Sequence, residues 1–269
     1  MKVLNFTKWA GSGNDFILVD NRSQALRKDL PKLAVSLCDR KRSIGGDGLI
    51  LLERSAKADI RMRIFNPDGS EAEMCGNGVR CLAKWATDQR IAKPHHTIES
   101  VAGVLEAEVK GDRVRVKMTD PKDLKLNGAL NLSGKRIEYG YVDTGVPHAV
   151  VLVPSLDSVD AFTTGRAIRQ HAHFAPRGTN ANFVSLKTGN AIEVRTYERG
   201  VEDVTLSSGT GSTASALIAA AKKGLKSPVE VHTKSGEVLK IYFTRENGSF
   251  REVFMEGPVK QSFEGRVTI

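Results

Sequence analysis

A duplicated run of strand, turn, X-Gly-X-Gly and helix constrains this chain more than any other feature. The first copy reads Ile60-Arg-Met-Arg-Ile-Phe-Asn66, then Pro67-Asp-Gly-Ser70, then Cys75-Gly-Asn-Gly78 and a helical stretch. The second reads Ile192-Glu-Val-Arg-Thr-Tyr-Glu198, then Arg199-Gly-Val-Glu-Asp203, then Ser208-Gly-Thr-Gly211 and another helical stretch. The match extends both ways. Gly13-Asn-Asp-Phe-Ile-Leu-Val19 has a counterpart at the same offset in Gly145-Val-Pro-His-Ala-Val-Val151. Gly103-Val-Leu-Glu-Ala107 is echoed by Gly236-Glu-Val-Leu-Lys240, one residue out of step because of an extra residue before Ser208. Collinear matches at three places imply two similar halves facing each other. Cys75 and Ser208 then occupy matching points on either side of one cleft.

Strand signals dominate both halves. Short β-branched or alternating runs predict strands at 60–65, 114–118, 149–153, 192–197 and 238–243. One long helix is predicted from Gly76, with Val79, Leu82, Ala83 and Ala86 at helical spacing. The other runs from Gly209 through Ala221. It ends in Lys222-Lys223-Gly224, with cations at the negative helix end and glycine past it. Its small apolar residues run almost all round, so it should be buried. Further helices are expected at 28–38 and 165–171. The fold class is α/β (α+β): two pseudo-symmetric halves, each a rolled, mainly antiparallel sheet around a central helix, with the active site in the cleft between them. The expected division is 1–122 and 123–269, near the polar, proline-containing stretch Asp120-Pro-Lys-Asp-Leu124. The last strand is free to return to the N-terminal half.

Composition narrows the function classes. Among 269 residues, 40% are hydrophobic and 26% charged, ordinary values for a globular protein. The net charge of +9 is scattered, apart from short clusters such as Arg40-Lys41-Arg42, and no nucleic-acid-binding motif accompanies it. No membrane span or signal peptide is expected. Three cysteines, Cys38, Cys75 and Cys81, are too few for a disulfide framework and fit a cytoplasmic setting. No metal site is expected. There is no His-Glu-X-X-His or Cys-X-X-Cys, and His171 with His173 alone is more often a pair of solvent-facing side chains than a ligand set.

The two X-Gly-X-Gly turns carry the chemistry. A cysteine at a helix start ionises more readily, because the helix dipole favours the thiolate. Gly76 and Asn77 would present backbone N–H groups that no helical carbonyl can reach, and Gly209 and Thr210 would do the same after Ser208. A carboxylate held there is stabilised. Removing the α-proton of an amino acid pushes charge onto those carboxylate oxygens, so such donors help most in the transition state. Two opposed proton-transfer groups suit inversion at carbon, without pyridoxal phosphate or a metal. A lone cysteine is more often a small buried apolar residue. The duplication and the helix N-terminal position reverse that for Cys75, whereas Cys38 and Cys81 keep the structural reading.

The chain resembles the diaminopimelate epimerases, the cofactor-independent, two-cysteine family. The resemblance rests on Gly11-Ser-Gly-Asn-Asp-Phe16, Gly45-Gly-Asp-Gly48, Phe65-Asn-Pro-Asp-Gly-Ser70, Cys75-Gly-Asn-Gly-Val-Arg-Cys81, Gly178-Thr-Asn-Ala-Asn-Phe183, Tyr197-Glu-Arg-Gly200 and Gly209-Thr-Gly211. It implies epimerisation of LL-2,6-diaminopimelate to the meso form, a lysine and peptidoglycan precursor, by a homodimer. Cys75 would be one catalytic acid/base, and Gly76, Asn77, Gly209 and Thr210 would hold the carboxylate at the reacting carbon. Glu198 would bind its ammonium group, and Asn14, Asn66, Asn180 and Arg199 the far end of the substrate. Two positions depart from the family pattern: Ser208 stands where the second catalytic cysteine belongs, and Val146 where many members have an asparagine. A hydroxyl is far less acidic than a thiol, so an alkoxide base is scarcely accessible near pH 7 and turnover is expected to be impaired or altered. The alternatives are a one-base racemase or dehydratase acting on another amino acid, and a non-catalytic amino-acid-binding paralogue.

Overall fold

Period-2 alternation gives the central strands two buried faces, and each face needs its own cover. The computed structural model, which describes residues 3–132 and 134–269, supplies that cover with helices. The chain forms two compact units: Met1–Val116 with Gly257–Ile269, and Lys117–Glu256.

The first unit runs β1 (Val3–Gly11), β2 (Asn14–Asp20), α1 (Leu30–Cys38), β3 (Gly48–Glu53), β4 (Ile60–Phe65), β5 (Glu71–Ala72), α2 (Gly76–Asp88), β6 (His95–Ser100), β7 (Gly103–Lys110) and β8 (Arg113–Lys117). Phe16 and Leu18 of β2, with Ile50 and Leu52 of β3, pack in one core with Val79, Leu82, Ala83 and Ala86 of α2. Ile17 and Val19, with Leu49 and Leu51, face the opposite way, onto Leu30, Ala34 and Leu37 of α1. The expected start of α1 at residue 28 moves to Leu30, because Asp29 is left-handed at φ 54°.

The second unit runs β9 (Lys122–Leu132), β10 (Lys135–Asp143), β11 (Pro147–Leu152), α3 (Ala161–Gln170), β12 (Asn180–Lys187), β13 (Ala191–Glu198), β14 (Asp203–Thr205), α4 (Gly209–Lys223), β15 (Val229–His232), β16 (Val238–Glu246) and β17 (Ser249–Pro258). Val150, Val184, Ile192 and Val194 pack on Ala214, Leu217 and Ile218 of α4, which is buried from Gly211 to Ala220. Ala149, Val151, Phe183 and Tyr197 share the other core with Ile168 of α3. Helix α3 begins earlier than the expected residue 165, because the Asp160 carboxylate caps it by accepting from Phe162 N and Thr163 N. Gly224 ends α4 in the left-handed conformation, at φ 74°.

The duplication holds strand by strand. In the first unit β1–β2 is antiparallel, β2–β3 parallel, β3–β4 and β4–β5 antiparallel, and β4–β6 parallel; β6–β7 and β7–β8 are antiparallel. In the second the same sequence of pairings joins β10, β11, β12, β13, β14, β15, β16 and β17. The outer neighbour differs in chain position. The last strand, β18 (Lys260–Thr268), pairs with β1, whereas β9 pairs with β10. Two glycine pairs from the sequence repeat also match in backbone: Gly13 and Gly145 at φ 87° and 107°, Gly103 and Gly236 at φ 121° and 86°. Side chains other than glycine rarely adopt these angles, so the glycines mark turns shared by the two copies. Among the described residues no helix is long and apolar enough to cross a membrane.

Candidate active site

Each unit places one of the two central residues at the start of its buried helix. Cys75 is the N-cap of α2, with extended backbone at φ −142° and ψ 113°. Ser208 is the N-cap of α4, at φ −122° and ψ 118°. The carbonyls of both caps open the helical ladder, accepting from Val79 N and from Ser212 N at 2.8 Å each. The N–H groups of Gly76 and Asn77, and of Gly209 and Thr210, therefore lie ahead of the ladder and are directed away from it. The Ser208 hydroxyl accepts from Gly211 N at 3.2 Å.

In the first unit the structure brings Asn14 and Asn77 together. Asn77 Nδ2 donates to Asn14 Oδ1 at 2.7 Å, and Asn14 Nδ2 donates to Asp47 Oδ2 at 3.0 Å. Asn66 follows β4 and is engaged in its own turn, with Nδ2 donating to Ser70 Oγ at 2.9 Å. Arg80 is fully buried on α2. Its guanidinium donates to Ser12 Oγ at 2.6 Å and reaches the Gly76 carbonyl at 3.4 Å, tying the first turn of the helix to the β1–β2 turn. The remaining thiols are far less apt. Cys81 is buried within α2, and burial pushes the Cys38 thiol up to about 11.

In the second unit Asn180 joins two elements. Its Nδ2 donates to the Pro147 carbonyl at 3.0 Å, and its Oδ1 accepts from Arg199 N at 2.8 Å. The amide thus fixes the backbone at Arg199, whose guanidinium donates to the Arg177 carbonyl at 2.9 Å. Glu198 closes β13. Burial pushes its carboxyl up from the ordinary value, and the neighbouring Thr205 hydroxyl opposes part of that rise. Val146 is half-buried, and its carbonyl accepts from Thr144 N at 3.1 Å.

A polar chain runs beneath the start of α4. Asn182 Nδ2 donates to His148 Nδ1 at 3.1 Å and to the Ala149 carbonyl at 3.1 Å, while Thr196 Oγ1 donates to Asn182 Oδ1 at 2.9 Å. Burial pushes the His148 imidazole down to about 3, so the ring is neutral near pH 7. As Nδ1 is the acceptor, the proton resides on Nε2. His148, Asn182, Thr196, Arg80 and Asp47 are absent from the sequence-based site. His148 follows Val146-Pro147 in the repeat, and Asp47, Arg80 and Asn182 lie inside motifs quoted above, so the motifs themselves marked them.

A family model described as diaminopimelate epimerase matches residues 6–124 and 140–261. A diaminopimelate epimerase of Aquifex aeolicus is 42% identical, covering 98% of this chain and 98% of that protein. One from a Hydrogenobaculum species is 44% identical, over 97% of this chain and 98% of its own length. The chain belongs to the diaminopimelate epimerase family. Membership makes it an isomerase of the amino-acid epimerase type. Solved structures show the same fold at low identity. A phenazine biosynthesis protein of the PhzF family from Bacillus anthracis has a TM-score of 0.78 at 18% identity, with both chains covered fully. A hydroxyproline epimerase from Agrobacterium vitis has a TM-score of 0.68 at 16% identity, over 98% of this chain and 92% of that one.

Proposed function

We propose that this protein epimerises LL-2,6-diaminopimelate to the meso form without pyridoxal phosphate, with Cys75 and Ser208 as the two proton-transfer groups. The observation that carries this reading is the matched pair of N-caps, Cys75 on α2 and Ser208 on α4, within units of identical strand pairing. Cys75 removes or returns the proton on one face of the carbon. Backbone N–H groups of Gly76, Asn77, Gly209 and Thr210 receive the carboxylate, whose charge grows as the proton leaves. Glu198 takes the ammonium group. Arg199 grips the distal carboxylate in a fork, with Asn14, Asn66 and Asn180 beside it. The same reading carries a homodimer and a cytoplasmic setting.

Ser208 limits the reaction. Its oxygen already accepts from Gly211 N, which favours the hydroxyl as a proton donor over a proton acceptor. An alkoxide base is scarcely accessible near pH 7. Proton exchange from one stereoisomer should therefore run well ahead of inversion. Losing a positioned general base typically costs about 10²–10⁴-fold in rate. Solvent deuterium incorporation, followed together with stereoisomer conversion, tests this in the native protein and in Ser208→Cys. The substituted protein should invert far faster. Equal inversion by both forms would show the hydroxyl to be a competent partner. If neither acts on diaminopimelate while another amino acid turns over, the one-base or altered-substrate reading replaces this one.

A further inference from the structure

Asp47 is wired to the first turn of α2 through two side-chain amides. Its carboxylate is held from several sides: Arg40 Nη2 donates to Oδ1 at 2.7 Å, and Asp15 N donates to Oδ2 at 3.2 Å. Arg40 in turn pairs with Asp15 at 2.5 Å, Lys8 pairs with Asp15 at 2.8 Å, and Lys8 Nζ also donates to the Gly45 carbonyl. A carboxylate only accepts hydrogen bonds, so Asn14 must offer it Nδ2, at 3.0 Å. Asn14 then has Oδ1 left for Asn77, whose Nδ2 donates to it at 2.7 Å. That bond settles which end of Asn77 is which. Its Oδ1 is turned away from Asn14, and it is a buried atom with no hydrogen-bond partner among the described residues, on a side chain only 3% exposed.

A buried carbonyl oxygen left without a donor is costly, and folded proteins retain few of them. Reversing both amides would give Asn77 a buried N–H₂ in its place, but it would also turn the Asn14 carbonyl onto the Asp47 carboxylate. The charge on Asp47 forbids this, so one carboxylate fixes the polarity of two amides in series. Resting on the epimerase reading above, the geometry points to Asp47 as a positioning residue that, through Asn14, presents Asn77 Oδ1 as an acceptor for an ammonium N–H of the amino-acid substrate. Asn77 thereby has two roles. Its backbone N–H belongs to the carboxylate site, and its side chain reads an amine.

A double-mutant cycle on binding of LL-diaminopimelate, measured by calorimetry, tests the relay. Asn77→Leu removes the acceptor and should weaken binding by roughly ten- to a hundredfold, the range for a hydrogen bond to a charged group. Asp47→Asn frees both amides to reverse and should weaken it by a smaller factor. Because Asp47 acts on the ammonium group through Asn77, Asp47→Asn should cost clearly less in the Asn77→Leu background than in the native one, what remains being its effect on Asn14 at the far end of the substrate. Native affinity in Asn77→Leu, or losses that simply multiply, would overturn the proposal. A second readout needs no ligand. The Asn77 side-chain amide resonances should move on Asp47→Asn in the intact protein, and unmoved signals would also overturn it. Failure of the native protein to bind diaminopimelate would refute the substrate reading instead, and the resonances would still decide the relay.

Discussion

At the scale of single residues, the three cysteines share a side chain and differ in almost everything else. Cys75 caps a helix and is partly exposed, Cys81 is fully buried inside that helix, and Cys38 is buried at the end of α1. Burial pushes the Cys38 thiol up to about 11, which leaves almost no thiolate at neutral pH. Iodoacetamide at mildly basic pH should therefore label Cys75 first, and peptide mass would locate the label. Preferential labelling of Cys38 or Cys81 would count against Cys75 as the reactive group. The position of this cysteine was legible from sequence because an N-cap is a local feature, set by a turn and the first apolar positions of a helix. The partners of Asn77 were not. Asn14 and Asp47 are far from it in sequence and come together only when β2 and the segment before β3 are in place. Asn180 shows the same limit. The turn motif marked it, but only the fold shows that both ends of its amide hold backbone at Pro147 and Arg199.

At the scale of elements, the matched glycines of the two helix starts differ in what surrounds them. A Cβ on Gly211 would lie 2.6 Å from Asn182 Oδ1 and 3.0 Å from both Ser208 Oγ and Thr196 Oγ1. Asn182 and Thr196 belong to the polar chain under α4 and Ser208 Oγ accepts from Gly211 N, so these atoms cannot shift without breaking hydrogen bonds. A Cβ on Gly78 would lie 2.9 Å from Ile50 Cδ1, the far end of a flexible side chain. Gly211→Ala should cost about 1–3 kcal/mol, as overpacking does. Gly78→Ala should cost less, since Ile50 can turn aside and alanine favours helix by up to ~1 kcal/mol over glycine. Urea unfolding of both variants measures the difference, and equal losses would show that the polar chain is not rigid. The two long helices and the alternating strands β4, β8, β13 and β16 were readable because apolar period and glycine punctuation are local signals, whereas β3 and β12, apolar or buried on both faces, were not among the expected strands. The hairpin of β9 and β10 escaped notice because β9 is exposed along most of its length, so its alternation carries little apolar contrast. Its pairing with β10 in the place that β18 takes beside β1 is a matter of topology, which no local pattern encodes.

At the scale of the whole molecule, a buried imidazole and a half-buried carboxylate near the two helix starts shape the response to acid. His148 is fully buried and folds neutral, with its imidazole pushed down to about 3 by burial. In the unfolded chain it takes up a proton near its ordinary value of about 6.5. Between those values the unfolded state binds more protons, so stability must fall as pH falls through that window. Asp15 acts lower down. Burial alone would raise it, but hydrogen bonds from Arg40 and Lys8, with their charges, hold it at about 2. The stability it contributes is present above its ordinary value of about 3.9 and is lost as pH falls toward 2. Two slopes in different pH windows should therefore appear in urea titrations between neutrality and strong acid. His148→Gln removes the titrating ring and should flatten the upper window by an amount on the order of a few kcal/mol, leaving the lower one. Asp15→Asn should do the reverse. The slopes carry the test rather than absolute stability, since either substitution can weaken the fold at every pH. An unchanged upper slope in His148→Gln would mean that the ring takes up its proton in the folded protein, and that the polar chain under α4 tolerates a charge.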